Sequence, residues 1–552
     1  MSRLAWIGRS PGDRVSADPT ATGTRPLGAL VERLAAEGRL RGTRAGGRPV
    51  PTGDVASIAV TGVTHDSRAV RPGMLFVAVP GLRVDGHDYV PAAIEAGAAG
   101  VIVERPIPGV AAPQVVVVAA RPALGSAAAW WFGDPSRELT VIGITGTDGK
   151  TTTAYLAVSA LEAAGLRTGM IGTIATRIGG RTDDHAEHAT TPEAPELQAA
   201  LRAMVDAGDE MAVIETTSHA LALDRVVGVV YDVAILTNIT HEHLELHGSW
   251  EAYREAKLSL FDRLRGARGV QKPRPVPATA IVNLDDPSAG LFVGTARDAG
   301  ASVITYGTEP AADIRATRIS EDRQGVHADI VTPSGDATID LRLAGRFNVH
   351  NALAVVALGD ALGLDAERVR QGLAGLAVVP GRMERIDLGQ PFGVVVDFAH
   401  SPASLTTVLD LLAPSAAARG GGVIAVFGSA GERDTAKRPQ MGRIAGERAR
   451  LVVVTDEDPR GEDRDAILDE IARGAEAAGR RRGHDLLLIA DRRAAIAAAF
   501  DAARPGDIVL LAGKGHERSI IGPDGELPWH ERTVAEELLI GLGHAAPGGT
   551  PA

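Results

Sequence analysis

The clearest chemistry in the chain lies in Thr145-Gly146-Thr147-Asp148-Gly149-Lys150-Thr151-Thr152, between the apolar run LTVIGIT and the helix-like run TTTAYLAVSALEAAG. The strict phosphate-loop spacing of Gly, four residues, then Gly-Lys-Ser/Thr fails, because Ile144 stands where the first glycine belongs. Two glycines, a lysine and a hydroxyl nevertheless fall at the start of a helix, where free N–H groups and the helix dipole attract phosphate. Lys150 would neutralise the β/γ-phosphates of a nucleotide and Thr151 would ligate Mg²⁺. The plain alternative is a Gly-rich turn with a solvated lysine, and the strand–turn–helix context favours nucleotide.

A second group follows at two strand ends, Glu215-Thr216-Thr217-Ser218-His219-Ala220-Leu221 and Thr237-Asn238-Ile239-Thr240-His241-Glu242-His243-Leu244. Phosphoryl transfer needs cations to offset charge on the transferred group, and a carboxylate with an imidazole can hold them. Glu215 and His243 are the candidates. Taken singly, a histidine in HEHLEL is more often a surface or capping residue, and the ordered company of the phosphate loop argues against that reading.

The elements that must position these residues alternate strand and helix. With 552 residues the chain exceeds what one hydrophobic core supports, and three domains are expected. Residues 1–25 and 544–552 show no apolar period and read as a flexible leader and tail. Residues 26–136 read as a small α/β domain with strands MLFVAV, AGVIVE and QVVVVA and a helix ending at Gly97. Residues 137–380 hold the phosphate loop, the strands EMAVIET, YDVAILT and ATAIVN, and the helix HNALAVVALGDALG, a pattern that predicts a parallel, doubly wound sheet. Residues 381–543 restart with VVVDFAH, GVIAVFG, LVVVTDEDP, LLLIAD and DIVLLAGKGHE and read as Rossmann-like, with polar motifs where strands run into loops.

Composition narrows the function classes. With no Cys there are no disulfides, thiolate metal sites or cysteine nucleophiles, which fits a cytoplasmic address. No apolar run reaches the roughly 18 residues of a transmembrane helix, and the N-terminus lacks a signal-peptide pattern. A net charge of -12 without a basic block argues against general nucleic-acid binding. A monomer without membrane insertion is expected.

The phosphate loop resembles the GT(D/N)GKT(S/T) loop of the Mur ligase and folylpolyglutamate synthase superfamily. The Glu215 and Thr237 segments resemble its E(V/T)(S/T)SHAL and TN(L/I)TxDHLDYHG signatures, with Glu242 in place of Asp and Leu246 in place of Tyr. The resemblance runs from about residue 30 to 540, and DSR at Asp66-Ser67-Arg68 with PGMLFVA at Pro72–Ala78 is typical of the MurE branch. It implies three domains: one binding UDP-MurNAc, a central P-loop ATPase-like domain and a C-terminal Rossmann-like domain that binds an amino acid. The implied activity is ATP- and Mg²⁺-dependent addition of meso-2,6-diaminopimelate to UDP-N-acetylmuramoyl-L-alanyl-D-glutamate through an acyl phosphate, a step of peptidoglycan synthesis. L-ornithine or L-lysine is the alternative amino acid; rivals are another amide ligase of the superfamily and a catalytically silent nucleotide-binding module.

The same resemblance assigns residues. Lys257, in EAYREAKLSLF, matches a lysine carbamylated to N6-carboxylysine that helps bind a second Mg²⁺, although sequence alone reads it as a helix-surface lysine. His65, Ser67, Leu82, Arg83 and Val84 would hold the uridine end, and DSR on its own reads equally as a loop capped by its Asp or Ser. Thr190, Thr191, Thr217 and Arg225 would hold the muramoyl-dipeptide, with Ala189 where Asn is common. Asn348, Asn351, Asp397 and His400 would contact the nucleotide, Asn348 being equally able to cap its helix. Arg433, Glu457-Asp458-Pro459-Arg460, Gly513 and Glu517 would read the incoming amino acid. Glu457-Asp458-Pro459-Arg460 stands where diaminopimelate enzymes have DNPR, and the retained Arg460 fork suits a second carboxylate.

Overall fold

The computed structural model describes residues 23–81, 84–184, 190–240, 247–322 and 325–545. Most of the expected leader and tail lies outside that range. The chain divides into two compact units, one formed by Met1–Arg318, Ala328–Ile339 and Val349–Leu373, the other by Ile319–His327, Asp340–Asn348 and Ala374–Ala552. No described helix is long and apolar enough to cross a membrane.

The chain first builds two sheets. Its N-terminal sheet holds β1 (Leu40–Ala45), β2 (Arg48–Val50), β3 (Val63–Thr64), β4 (Leu75–Val77), β5 (Gly100–Val103) and β6 (Gln114–Val117), in the order β2-β1-β6-β5-β4-β3. Strands β3 to β6 are parallel and read as near-continuous apolar runs, because helices cover them. Leu27, Leu30 and Leu34 of α1 (Leu27–Ala36) share a core with Leu75, Val77 and Val115 and with Trp131 of α2 (Ala120–Phe132). The hairpin β1–β2 was absent from the sequence reading; Gly46 and Gly47, at φ 57 and 77, supply its tight turn.

The central sheet holds β7 (Thr140–Thr145), β8 (Thr168–Ile171), β9 (Ala175–Ile178), β10 (Arg181–Asp184), β11 (Met211–Glu215), β12 (Val233–Leu236), β13 (Thr279–Asn283), β14 (Ser302–Gly307), β15 (Ile314–Glu321), β16 (Val326–Thr332) and β17 (Gly335–Leu341). Its order is β10-β9-β8-β11-β7-β12-β13-β14-β15-β16-β17. Strands β8, β11, β7, β12, β13 and β14 are parallel, as expected. The sheet as a whole is mixed, which corrects the expected all-parallel sheet: β9 and β10 return antiparallel through a Gly179-Gly180 turn. Register sets Glu215 beside Ile144 and Leu236 beside Thr145, so the polar residues that follow these strands leave the sheet at one edge. Helix α3 (Lys150–Ala163) starts there at Gly149, and α4 (Trp250–Asp262) and α5 (Asn348–Ala361) complete the elements that carry candidate residues.

In the second unit, β18 (Glu384–Ile386), β19 (Gly393–Asp397), β20 (Val423–Phe427), β21 (Leu451–Val454), β22 (Leu486–Leu488) and β23 (Ile508–Ala512) pair in the order β18-β19-β23-β20-β21-β22. All but β18 are parallel, as the Rossmann-like reading requires. Apolar clusters fill both faces, one around Val408, Phe427 and Met441, the other around Ile424, Val453 and Phe500. Asp397 lies beside Ala512, and Phe427 beside Val454, so the motif-bearing loops leave from neighbouring strand ends.

Candidate active site

In the first unit the phosphate loop wraps the start of α3. Gly146 and Gly149 sit at φ 150 and 84, conformations that disfavour any side chain, and a Cβ on Gly149 would overlap Asn351 Oδ1. The segment after β12 holds the loop from below. Asn238 Oδ1 accepts from the Asp148 amide at 3.0 Å, Thr237 Oγ1 donates to the Asp148 carbonyl at 2.6 Å, and the Thr147 hydroxyl meets Tyr253 Oη at 2.9 Å. Asp286 fixes that segment in turn by accepting from the Ile239 amide at 2.6 Å.

Lys150 Nζ folds back onto the loop and donates to the carbonyls of Gly146 and Thr147 at 2.9 and 2.7 Å. Lys257 corrects the surface-lysine reading: it is 2% exposed, its Nζ donates to the same Gly146 carbonyl at 2.7 Å, and it lies over the Tyr253 ring.

Glu215 is fully buried and surrounded by oxygen and amide donors. Its Oε2 accepts from Thr151 Oγ1 and Thr173 Oγ1, each at 2.9 Å, and its Oε1 from the Thr173 amide at 2.9 Å. This set of hard oxygen atoms suits Mg²⁺. The dipeptide candidates gather around the same residue: Thr190 Oγ1 meets Thr173 Oγ1 at 3.0 Å, Thr191 Oγ1 donates to the Glu215 carbonyl at 2.7 Å and meets Thr217 Oγ1 at 3.3 Å, and Arg225 donates to the Thr191 carbonyl at 3.0 Å. Arg225 also pairs with Glu193 at 2.8 Å.

Among the uridine candidates, Asp66 caps the turn Ser67–Ala69 by accepting from the Arg68 amide, so the capping reading of DSR holds there. His65 Nδ1 is buried and has no hydrogen-bond partner among the described residues, and Val84 is exposed. His243, Leu82, Arg83 and Ala189 lie outside the described residues. Asn351 Oδ1 accepts from Thr153 Oγ1 at 3.2 Å beside the phosphate loop. The neighbouring His350 binds Asp285 at 2.8 Å, a pairing without a sequence signal, since 65 residues separate the two.

In the second unit Asp397 accepts from the amides of Met383 and Ala399, both at 2.8 Å, and His400 Nδ1 meets the Phe398 carbonyl at 2.9 Å. Arg382, which sequence reasoning passed over, lays its guanidinium over Phe398 at 4.7 Å and brings a cation to this loop. Asn348 donates its side-chain amide to the Ala344 carbonyl.

The amino-acid candidates cluster at the ends of β21 and β23. Lys514, another omission, is fully buried and bridges Asp458 at 2.7 Å and Glu517 at 2.5 Å. Burial pushes the Glu517 carboxyl up from its ordinary value, and Asp458 and Glu457 push the same way against Lys514. Arg460 takes a left-handed backbone at φ 55, fixed by its amide donating to the Ile521 carbonyl at 2.9 Å. Glu457 is buried beside Gly513, and Arg433 is exposed, with no structural feature joining it to the cluster.

A strand-end phosphate loop, a buried carboxylate beside it and a Rossmann-like unit with its own polar strand ends make a nucleotide-dependent ligase the class that this architecture fits. Comparison with known proteins agrees. Residues 59–129 match the profile "Mur ligase family, catalytic domain", residues 144–359 "Mur ligase middle domain" and residues 381–515 "Mur ligase, glutamate ligase domain". A UDP-N-acetylmuramyl-tripeptide synthetase of Roseiflexus sp. (strain RS-1) is 48% identical over 489 residues, covering 88% of this chain and 95% of that one. A UDP-N-acetylmuramoyl-L-alanyl-D-glutamate--2,6-diaminopimelate ligase of Geobacter metallireducens is 42% identical, covering 85% and 92%. A solved structure of a ligase with that same name superposes with a TM-score of 0.61 at 29% identity, over 89% of this chain and 97% of that one. The chain belongs to the Mur ligase family. It shares that family's three-domain architecture of α/β sheets and is a ligase.

Proposed function

We propose that this Mur ligase adds meso-2,6-diaminopimelate to UDP-N-acetylmuramoyl-L-alanyl-D-glutamate, using ATP, in the synthesis of peptidoglycan precursors. The observation that carries the reading is the contact between Thr151, at the first turn of the phosphate-loop helix, and the buried Glu215 carboxylate, with Thr190, Thr191, Thr217 and Arg225 grouped around it. Nucleotide phosphates and an acceptor carboxylate would thereby meet at one strand edge. The names carried by relatives at 42–48% identity over most of the chain support the substrates.

A carboxylate is a poor electrophile at pH 7, so the γ-phosphate of ATP passes first to the D-glutamyl γ-carboxylate, forming an acyl phosphate and ADP. The amine of the amino acid then attacks the acyl carbon, the amide forms and phosphate leaves. Lys150 leaves the loop carbonyls for the β/γ-phosphates and stabilises the charge that develops on the transferred group. Thr191, Thr217 and Arg225 orient the acceptor carboxylate, and Asn351 secures the phosphate loop against α5. Thr151, Glu215, His243 and a carbamylated Lys257 would hold Mg²⁺, which would supply charge neutralisation there. The ammonium form of Lys257 would repel such a cation, which is the physical reason to expect carbamylation. The same reading places the enzyme in the cytoplasm, where ATP is available, as a monomer; light scattering of the purified chain tests the oligomeric state.

A second reading, with ornithine or lysine as the incoming amino acid, draws on Asp458. It puts a carboxylate where DNPR has an amide, and Glu517 stands across Lys514 from it. Phosphate release with ATP, Mg²⁺, the UDP-muramoyl-dipeptide and each of the three amino acids tests both readings. Release that depends on every substrate and is fastest with diaminopimelate is expected. A preference for ornithine or lysine replaces the first reading with the second, and no release with any of them overturns both.

A further inference from the structure

Asn283, Asp285 and Asp286, at the end of β13 and in the turn that follows, carry the two supports of the phosphate loop. Asp286 accepts from the Ile239 amide, and Asn283 donates its side-chain amide to the Thr237 carbonyl at 2.7 Å, so both fix the segment that grips Asp148. Asp285 serves the other support, α5. Its Oδ2 meets His350 Nε2 at 2.8 Å, and all these residues belong to the first unit.

The Asp285 carboxylate is itself anchored. It accepts from the Thr308 amide and hydroxyl, each at 2.8 Å, and from the Glu309 amide at 3.0 Å, and a Cβ on Gly307 would stand 2.4 Å from its Oδ1. Burial pushes this carboxyl up, and the bonds from His350 and Thr308 outweigh burial and hold it below the usual range. An ionised carboxylate only accepts, so His350 Nε2 carries the proton and donates the hydrogen bond. The side chains of His350 and Asp285 are 32% and 20% exposed, so the pair escapes much of the solvent screening that makes surface ion pairs weak.

His350 and Asn351 are consecutive in the first turn of α5, and side chains one residue apart on a helix diverge by about 100°. A hold on His350 therefore sets the rotation of that turn while Asn351 faces α3. Asn351 Oδ1 accepts from Thr153 Oγ1 at 3.2 Å and lies 2.4 Å from where a Gly149 Cβ would stand. Gly149 opens α3 at φ 84, in the turn whose free amides suit phosphate. We propose that His350, held by Asp285, is a positioning residue for ATP: it fixes the rotation of α5 that seats Asn351 against Gly149, and through Asn351 it sets the shape of the phosphate loop. Neither His350 nor Asp285 touches the substrate in this role. The inference rests on the proposed use of ATP and deepens it with two residues outside the phosphate-loop motif.

The test measures the affinity for ADP with Mg²⁺ by calorimetry and the steady-state kinetics of the ligase. It uses the native chain, His350→Leu, His350→Gln, Asn351→Ala, and Asn351→Ala combined with His350→Leu. His350→Leu keeps the bulk and a good helix former while removing the donor, so the fold persists. It weakens ADP binding and raises KM for ATP about tenfold, the scale of one hydrogen bond to a charged group. The value of kcat at saturating ATP and KM for the UDP-muramoyl-dipeptide stay within about twofold of native, a split that general damage to the fold does not give. His350→Gln, whose amide nitrogen reaches about as far as the imidazole Nε2, recovers most of the lost affinity. Because His350 acts through Asn351, adding His350→Leu to Asn351→Ala changes ADP affinity by less than about twofold. Native affinity in His350→Leu overturns the inference, as do losses that multiply in the double variant or a KM that rises equally for both substrates. A native chain that binds no ADP overturns the ATP reading instead, so the two failures are distinguishable.

Discussion

Lys150 and Lys257 both donate to the Gly146 carbonyl, so two cations meet at one acceptor in a buried corner. Such an arrangement suits a site whose ligand brings negative charge, and it separates two roles that the sequence alone could not rank. Lys150 is half-buried, whereas Lys257 is enclosed. Lys150→Ala should leave melting temperature nearly unchanged and lower ATP-dependent phosphate release by about three orders of magnitude, the scale of one preorganised electrostatic contact. Near-normal release by the folded variant would show that the loop lysine is a bystander. Lys257→Ala should be nearly inactive and regain activity with added short carboxylates, which can stand where a carbamate would; full activity without them would remove Lys257 from the mechanism. Arg460 carries a different expectation, because a guanidinium fork recognises a distal carboxylate that lysine and ornithine lack. Arg460→Ala should lower kcat/KM for diaminopimelate by roughly two orders of magnitude and leave lysine and ornithine little changed. Equal losses for all three amino acids would mean that Arg460 does not read that carboxylate.

At the scale of elements, the unit that handles phosphate is β7, the loop and α3, locked by the residues after β12. Gly149 is the tightest point: its φ of 84 disfavours alanine by about 1 kcal/mol, and a Cβ would displace the Asn351 side chain. Gly149→Ala should therefore raise KM for ATP at least tenfold while the rest of the fold persists; an unchanged KM would mean that the loop moves away from Asn351 without consequence. The strand–loop–helix unit was legible in the sequence because LTVIGIT is continuously apolar, as a strand covered on both faces must be. The Rossmann-like strands were legible for the same reason. The edge hairpins were not, since ATRI, RTDD and LRGTRA carry polar and charged residues on short, partly exposed strands whose pattern differs little from a loop. Helix period likewise could not tell that Lys257 points inward, because its burial depends on the Gly146 carbonyl arriving from 111 residues away. Thr173 was missed for the same cause, its partner Glu215 being 42 residues distant, and so was the bridge from Lys514 to Asp458, 56 residues distant.

Across the whole molecule, carboxylates held below their ordinary pKa tie both units to the charge state of the chain. Burial pushes Asp285 and Asp507 up, but the hydrogen bonds each accepts outweigh it and hold both carboxyls below the usual range. Asp507 is the cleaner case: it is 1% exposed and accepts from the amides of Gly422 and Arg504 and from the Arg450 guanidinium at 2.7, 2.8 and 2.6 Å. A folded-state pKa depressed below the unfolded value of about 3.9 gives stability that is fully present above that pH and is lost as pH falls through the folded pKa. Asp507→Asn keeps the shape and removes the charge, so it should cost the second unit about 2 kcal/mol at pH 7, with a gap that closes progressively below about pH 4. Two units need not unfold together, so the readout must belong to the second one: hydrogen-exchange labelling of the β23 amides during urea unfolding, from pH 7 to about pH 2.5, for native and variant. A gap of constant size over that range would show that Asp507 stabilises through shape and neutral hydrogen bonding, and the charge on the carboxylate would then have no part in holding β23 to its neighbours.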